Sequence, residues 1–109
     1  MRISEYRAVW LCVMFDLPVL TKGQRHAYSV FRKKLLKDGF SMLQYSIYVR
    51  HCATYENAAV HVARVDQIVP NEGVVNILSI TDKQYSSMIT YWGKQRQEES
   101  TAPSQLEMF

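Results

Sequence analysis

Residues 8–15 (AVWLCVMF) are apolar at every position and rich in β-branched and aromatic side chains. A strand with one solvated face alternates apolar and polar residues, and an amphipathic helix repeats its apolar positions every three to four residues. This run does neither and is short for a helix, so it predicts a strand buried on both faces. Asp16, Leu17 and Pro18 then end it. Any fold that contains such a strand must cover a sheet from two sides, and this requirement constrains the chain more than any other feature.

The following segments supply the cover for one side. Thr21 and Gln24 are spaced as a capping box and predict a helix from about Lys22 to Lys37, with Gly39 just beyond it as a left-handed cap. Tyr28, Phe31 and Leu35 form its apolar face, with Ala27 beside them. Residues 40–50 (FSMLQYSIYVR) read as one bent strand or as a hairpin turning near Gln44-Tyr45-Ser46. Thr54 caps a second helix of about Tyr55 to Val69, with Ala58, Val62, Val65 and Val69 as its buried stripe, and Pro70 closes it. Val74 to Thr81 is a further strand, 82–88 a turn or short helix, and Ile89 to Trp92 a last edge strand. From there the composition turns polar, which predicts a domain over residues 1–93 and a flexible tail over 94–109.

The order is βαββαβ, an α+β fold of the ferredoxin-like type. Right-handed crossovers place both helices on one face of an antiparallel sheet. The other face of the first strand then lacks cover, and the simplest candidate is the same face of a second copy. A homodimer through the sheet face is therefore expected from the pattern alone.

Composition excludes several classes. At 109 residues the chain makes one domain, and folding would bury roughly 65 % of its unfolded surface, enough for a core without metals or disulfides. No apolar run reaches the length of a membrane span. The basic-then-apolar start superficially suggests a signal peptide, but Asp16 and Pro18 interrupt it and no small-residue cleavage site follows. The two cysteines, Cys12 and Cys52, make neither a disulfide framework nor a CxxC pair. A cytoplasmic protein is expected.

The net charge of +3 conceals an asymmetry. Residues 1–50 hold nine Lys/Arg against three Asp/Glu, a surplus of six; residues 51–109 hold four against seven, a deficit of three. On the first helix Lys22, His26, Lys33 and Lys37 make a polar stripe, and Arg25 and Arg32 flank the apolar face. Six basic or potentially basic groups in four turns suit phosphate contacts, which give affinity without reading bases; a solvated helix face is the plainer reading. Asp16 also has two readings. It is a turn aspartate, or it is a ligand for a hard cation such as Mg²⁺, which carboxylates hold together with water and phosphate oxygens. One aspartate is a poor site, but a dimer would bring two together for metal-assisted phosphodiester cleavage. His51, Cys52 and His61 do not suggest a metal site, because adjacent strand residues point to opposite faces and His61 falls mid-helix.

The stretches FDLPVLTKGQRHAYSVFRKKLLKDGFSMLQYSIYVR and VPNEGVVNILSITDKQYSSM, with the region of Gly93, resemble the small CRISPR-associated family "Cas two". The resemblance covers residues 6–93 and is strongest to the branch that accompanies type II systems. It implies a ferredoxin-like homodimer that partners the "Cas one" integrase in acquiring new spacers. It also implies Mg²⁺-dependent endonuclease activity, with Mn²⁺ as a substitute, on RNA or double-stranded DNA. The family's metal-binding aspartate maps onto Asp16. Two functions stand side by side: a nuclease using two Asp16 carboxylates, and a scaffold that grips a prespacer duplex between integrase dimers. Thin catalytic equipment favours the scaffold as the main role, with cleavage kept beside it. A small-molecule-sensing module is a third reading, supported locally only by Gly23. At the C-terminus, Gln105, Leu106, Met108 and Phe109 resemble the QLxLF-type peptide that docks on the bacterial sliding clamp, presented on a flexible leader.

Overall fold

Strand β1 (Val9–Asp16) forms where the apolar run predicts it, in a computed structural model that describes residues 7–97. Its pleat sorts the run into two sets. Val9, Leu11, Val13 and Phe15 are all but fully buried in the main core, against Phe31, Leu35, Ala58 and Val65 of the two long helices. Trp10, Cys12 and Met14 point to the opposite face. β1 is central: it pairs antiparallel with β3 (Ile47–Cys52) on one side and with β4 (Val74–Thr81) on the other. β2 (Ser41–Gln44) pairs with β3, so the sheet order is β2-β3-β1-β4. With α1 (Lys22–Lys37) between β1 and β2, and α2 (Tyr55–Asp66) between β3 and β4, this is the expected α+β fold. The segment 40–50 resolves into a hairpin rather than one bent strand.

Local signals set the helix ends. Thr21 and Gln24 complete the capping box reciprocally. At the other end Gly39 sits at φ +91°, its N–H donates to Leu36 O, and Phe40 N–H donates to Leu35 O. That pair of bonds is a Schellman motif, and it folds Phe40 into the same core as Leu35. α2 starts at Thr54 as expected but stops at Asp66, before the expected Val69. Gln67 and Ile68 donate to Arg64 O and Val65 O, which tightens the last turn and tucks Ile68 against the core. Val69 is consequently exposed, and His61 takes the buried place on the helix.

The second face of β1 receives partial cover from its own chain. α3 (Asp82–Ser86), opened by a Thr81–Gln84 capping box, lays Tyr85 flat on Trp10 with ring centroids 3.8 Å apart. Asp82 accepts from Trp10 Nε1 at 2.8 Å and lies 3.2 Å from His51 Nε2. Cys12 and Met14 are only half-buried, and on β4 Leu78, in register with Cys12, and Val74, in register with Asp16, are exposed. The expected last strand forms as β5 (Tyr91–Trp92), but it pairs with β6 (Gln95–Arg96) in a separate ribbon turning at Gly93 instead of extending the sheet. The boundary expected at Gly93 thus falls inside a hairpin. The greater part of the tail, with Gln105, Leu106, Met108 and Phe109, lies outside the described residues.

Gly73 determines how the end of β1 is held. It sits at φ +91°, and a Cβ there would meet Asp16 O at 2.6 Å. Gly73→Ala is therefore expected to destabilise the fold by about 2–3 kcal/mol, read by urea denaturation. Gly39→Ala, at the same φ but with its nearest neighbour a side-chain atom at 3.1 Å rather than backbone at 2.6 Å, should cost less. Equal costs would refute the backbone clash at Asp16.

Candidate functional site

Three segments converge on the C-terminal end of β1. Asp16 is the last residue of the strand and is exposed, while Leu17 after it is buried. A rigid, buried strand thus ends in a solvated carboxylate. The β2–β3 turn approaches from one side, with Phe15 N–H donating to Ser46 O at 3.0 Å and Tyr28 Oη donating to Tyr45 O at 3.2 Å. From the other side comes the α2–β4 loop, because Val74 pairs with Asp16.

Residues 17–21 carry the chain from Asp16 into α1, and side chains of the helix fix this loop. Gln24 Oε1 accepts from the N–H groups of Leu20 and Thr21, and its Nε2 donates to Glu72 Oε2 at 3.1 Å. Arg25 Nη1 donates to the carbonyls of Val19 and Leu20 at 3.2 and 2.9 Å. Arg25 is thus engaged in holding the loop, beyond the phosphate role expected of it. Neither Gln24 nor Glu72 is among the site residues expected from the sequence. Gln24 was legible as a capping residue, but its bond to a side chain 48 positions away was not.

The basic residues are arranged along α1 as its period dictates. Lys22, His26, Lys33 and Lys37 are all exposed and fall on one stripe opposite Phe31 and Leu35. At 1.5 Å per residue, Lys22 and Lys37 stand about 22 Å apart along the axis, comparable with about six base pairs of duplex. Lys22, Arg25 and His26 lie at the Asp16 end of the helix, whereas Lys33 and Lys37 lie toward the far end. Arg32 is half-buried and the neighbouring Lys34 exposed; Lys34 extends the basic surface beyond the expected set. Ala27 is exposed rather than packed beside Tyr28.

At the far end of α1 the structure assembles a cluster absent from the sequence reading. Asp38 Oδ2 lies 2.7 Å from Nδ1 of the buried His61, and Asp38 Oδ1 accepts from Arg64 Nη1 at 2.8 Å. Burial pushes the Asp38 carboxyl up, but the hydrogen bonds and charges of His61 and Arg64 outweigh it and hold its pKa below the ordinary value. Arg50 Nε donates to the backbone carbonyl of Asp38 at 2.8 Å. This network locks the end of α1 to α2 and β3. Burial pushes the thiols of both Cys12 and Cys52 up, so neither is an activated nucleophile.

Among the described residues no group of three or more His, Cys, Asp or Glu side chains is placed to hold a metal ion. Asp16 offers the oxygen chemistry that Mg²⁺ requires, but among the described residues it belongs to no cluster of such ligands within one chain. No helix among the described residues is long and apolar enough to cross a membrane.

The model of the family described as "CRISPR associated protein Cas2" matches residues 9–88, from the first residue of β1 to just beyond α3. The chain belongs to the Cas2 family. A protein named CRISPR-associated endoribonuclease Cas2 from Parvibaculum lavamentivorans is 52 % identical over 101 residues, covering 93 % of this chain and all of that protein. Its namesake from Flavobacterium psychrophilum is 47 % identical over 108 residues, covering 99 % of this chain and 94 % of the relative. A third, from Paracidovorax avenae, is 42 % identical over 107 residues, 98 % of this chain and 99 % of that one. Family membership thus rests on the whole fold that carries Asp16 and α1, and it agrees with the resemblance seen in the sequence.

Proposed function

We propose that this Cas2-family chain acts in CRISPR adaptation as a homodimer that grips nucleic acid along α1 and bridges dimers of the "Cas one" integrase around a prespacer duplex. The observation that carries the reading is the exposed stripe of Lys22, His26, Lys33 and Lys37 along α1, the helix that follows the exposed Asp16 in the chain. Dimerisation is supported by the incompletely covered sheet face, where half-buried Cys12 and Met14 share a face with exposed Val74 and Leu78, and by the position of β4 at the edge of the sheet. The stripe would then appear twice, doubling the phosphate contacts available to a duplex.

A second reading is metal-dependent cleavage: the relatives are named endoribonucleases, and the exposed Asp16 carboxylate at the end of β1 favours a metal here. Mg²⁺ bound by Asp16 carboxylates from two copies would polarise a phosphodiester and lower the pKa of a bound water. The chain's own part is to hold each carboxylate on a strand whose preceding residues are locked in the core.

The grip is tested by reversing charge at Lys33 and Lys37. The double variant Lys33→Glu, Lys37→Glu is expected to weaken duplex binding by roughly tenfold or more and to flatten the salt dependence by about two phosphate contacts per copy. Fluorescence anisotropy with a labelled duplex across a salt series measures both. Unchanged affinity and slope would remove α1 from the nucleic-acid surface.

A further inference from the structure

Asp16 and the basic stripe of α1 lie on opposite layers of the domain. Side chains alternate along β1, so Asp16 shares the face of Trp10, Cys12 and Met14, while Phe15 before it enters the core with Val9, Leu11 and Val13. α1 packs on that core side: Phe31 and Leu35 are buried there, and the rings of Phe31 and Phe15 meet edge to face with centroids 5.2 Å apart. Lys22, His26, Lys33 and Lys37 are exposed on the helix surface opposite Phe31 and Leu35. The stripe therefore faces out from the helix layer and Asp16 faces out from the sheet. A helix with its side chains is about 10–12 Å across, and that thickness and the sheet stand between them. Charge divides along the same line. The cross-strand neighbours on the Asp16 face are Val74 beside Asp16, with Asn76 and Ile47 beside Met14, and none of them is basic.

We infer that the chain has two nucleic-acid surfaces set back to back, and that the strand cleaved at Asp16 is a separate molecule from the duplex held along α1. This rests on both proposed readings, the grip and the metal-dependent cleavage. A duplex has a persistence length of about 50 nm, so one lying straight along the stripe does not turn round the end of the sheet within a few base pairs. Its phosphates stay on the helix layer, and the carboxylate is presented to a different strand arriving at the sheet face. The two surfaces also hold phosphate by different means. The stripe attracts it with fixed cationic side chains, a contact that salt weakens steeply and that needs no metal. The sheet positions around Asp16 supply no cationic side chain, so a phosphate meets the carboxylate only with a cation between them.

The test uses the unaltered full-length protein, a short labelled single-stranded RNA as the cleavage substrate and a duplex DNA as the ligand of α1. Cleavage of the RNA in Mg²⁺ is timed with and without enough unlabelled duplex to saturate the protein, saturation being read from the anisotropy of a labelled duplex. The rate is expected to change by less than about twofold. When salt rises from about 50 to about 200 mM, duplex affinity should fall roughly a hundredfold, as about four phosphate contacts require. Over the same range kcat/KM for the RNA should fall less than about fivefold. Removing the metal with EDTA should abolish cleavage without weakening duplex binding. A cleavage rate that falls in proportion to duplex occupancy would overturn the inference, and so would equal salt slopes for the two processes. No RNA cleavage by the protein would overturn the metal reading together with the inference and leave the grip standing. No duplex binding would overturn the grip together with the inference and leave cleavage standing.

Discussion

Asp16→Asn should abolish Mg²⁺-dependent cleavage of RNA and of duplex DNA while leaving the fold and duplex binding in place. Asp16 is exposed and makes no packing contribution, so its replacement by an isosteric amide should leave the melting temperature within about 2 °C. The amide cannot supply the charge that retains a hard cation, and losing several kcal/mol of metal stabilisation corresponds to about 10³-fold in rate. Cleavage of labelled RNA in the presence of Mg²⁺, with heat-denatured protein as the background, measures the loss. Cleavage at the parental rate would exclude Asp16 as the ligand. The same variant separates the two roles in cells: the scaffold reading expects spacer acquisition to persist. Loss of acquisition with dimerisation and integrase binding intact would make the metal site the physiological one.

The largest effect on stability is expected at Asp38. Asp38→Ala leaves His61, only 4 % exposed, without the carboxylate 2.7 Å away. Taking a charged hydrogen-bond acceptor away from a buried ring costs about 3 kcal/mol, a fall in melting temperature on the order of 15 °C for a domain of this size. Arg64→Ala removes the other partner, but that side chain is 61 % exposed and its bond is worth less than about 1 kcal/mol. The pH dependence follows from the lowered Asp38 pKa. A carboxyl whose folded pKa lies below its unfolded value, roughly 3.9, contributes its full stability above that value. It loses the contribution as pH falls through the lower folded value. The deficit of Asp38→Ala relative to the parent should therefore be constant near neutrality and shrink below about pH 4. Chemical denaturation at a series of pH values checks it; a deficit that grows on acidification would assign the cost to something other than the ionised carboxylate.

Most of the fold was legible because its signals act over short distances. Thr21 and Gln24 are three residues apart and cap α1 whatever surrounds them. The Thr81–Gln84 pair has the same spacing, and reading it would have turned the expected turn or short helix at 82–88 into a definite one. α2 was read too long because Pro70 suggested a stop, whereas the helix ended three residues earlier, where Ile68 could reach the core. The last strand was assigned to the sheet because nothing in Ile89 to Trp92 shows which partner it will choose; Gly93 returns the chain on itself.

Local sequence suffices for the two-faced strand, the basic stripe on the first helix, the position of Asp16 at a strand end and the family. Each depends on periodicity, or on residue types within a few positions of one another. It takes the folded arrangement to bring Asp38 to His61 across 23 residues, Gln24 to Glu72 across 48, and Trp10 to Asp82 across 72. Those contacts arise where faces of separate elements come together. Their geometry is set by how the helices and loops seat on the sheet, and no local pattern encodes it.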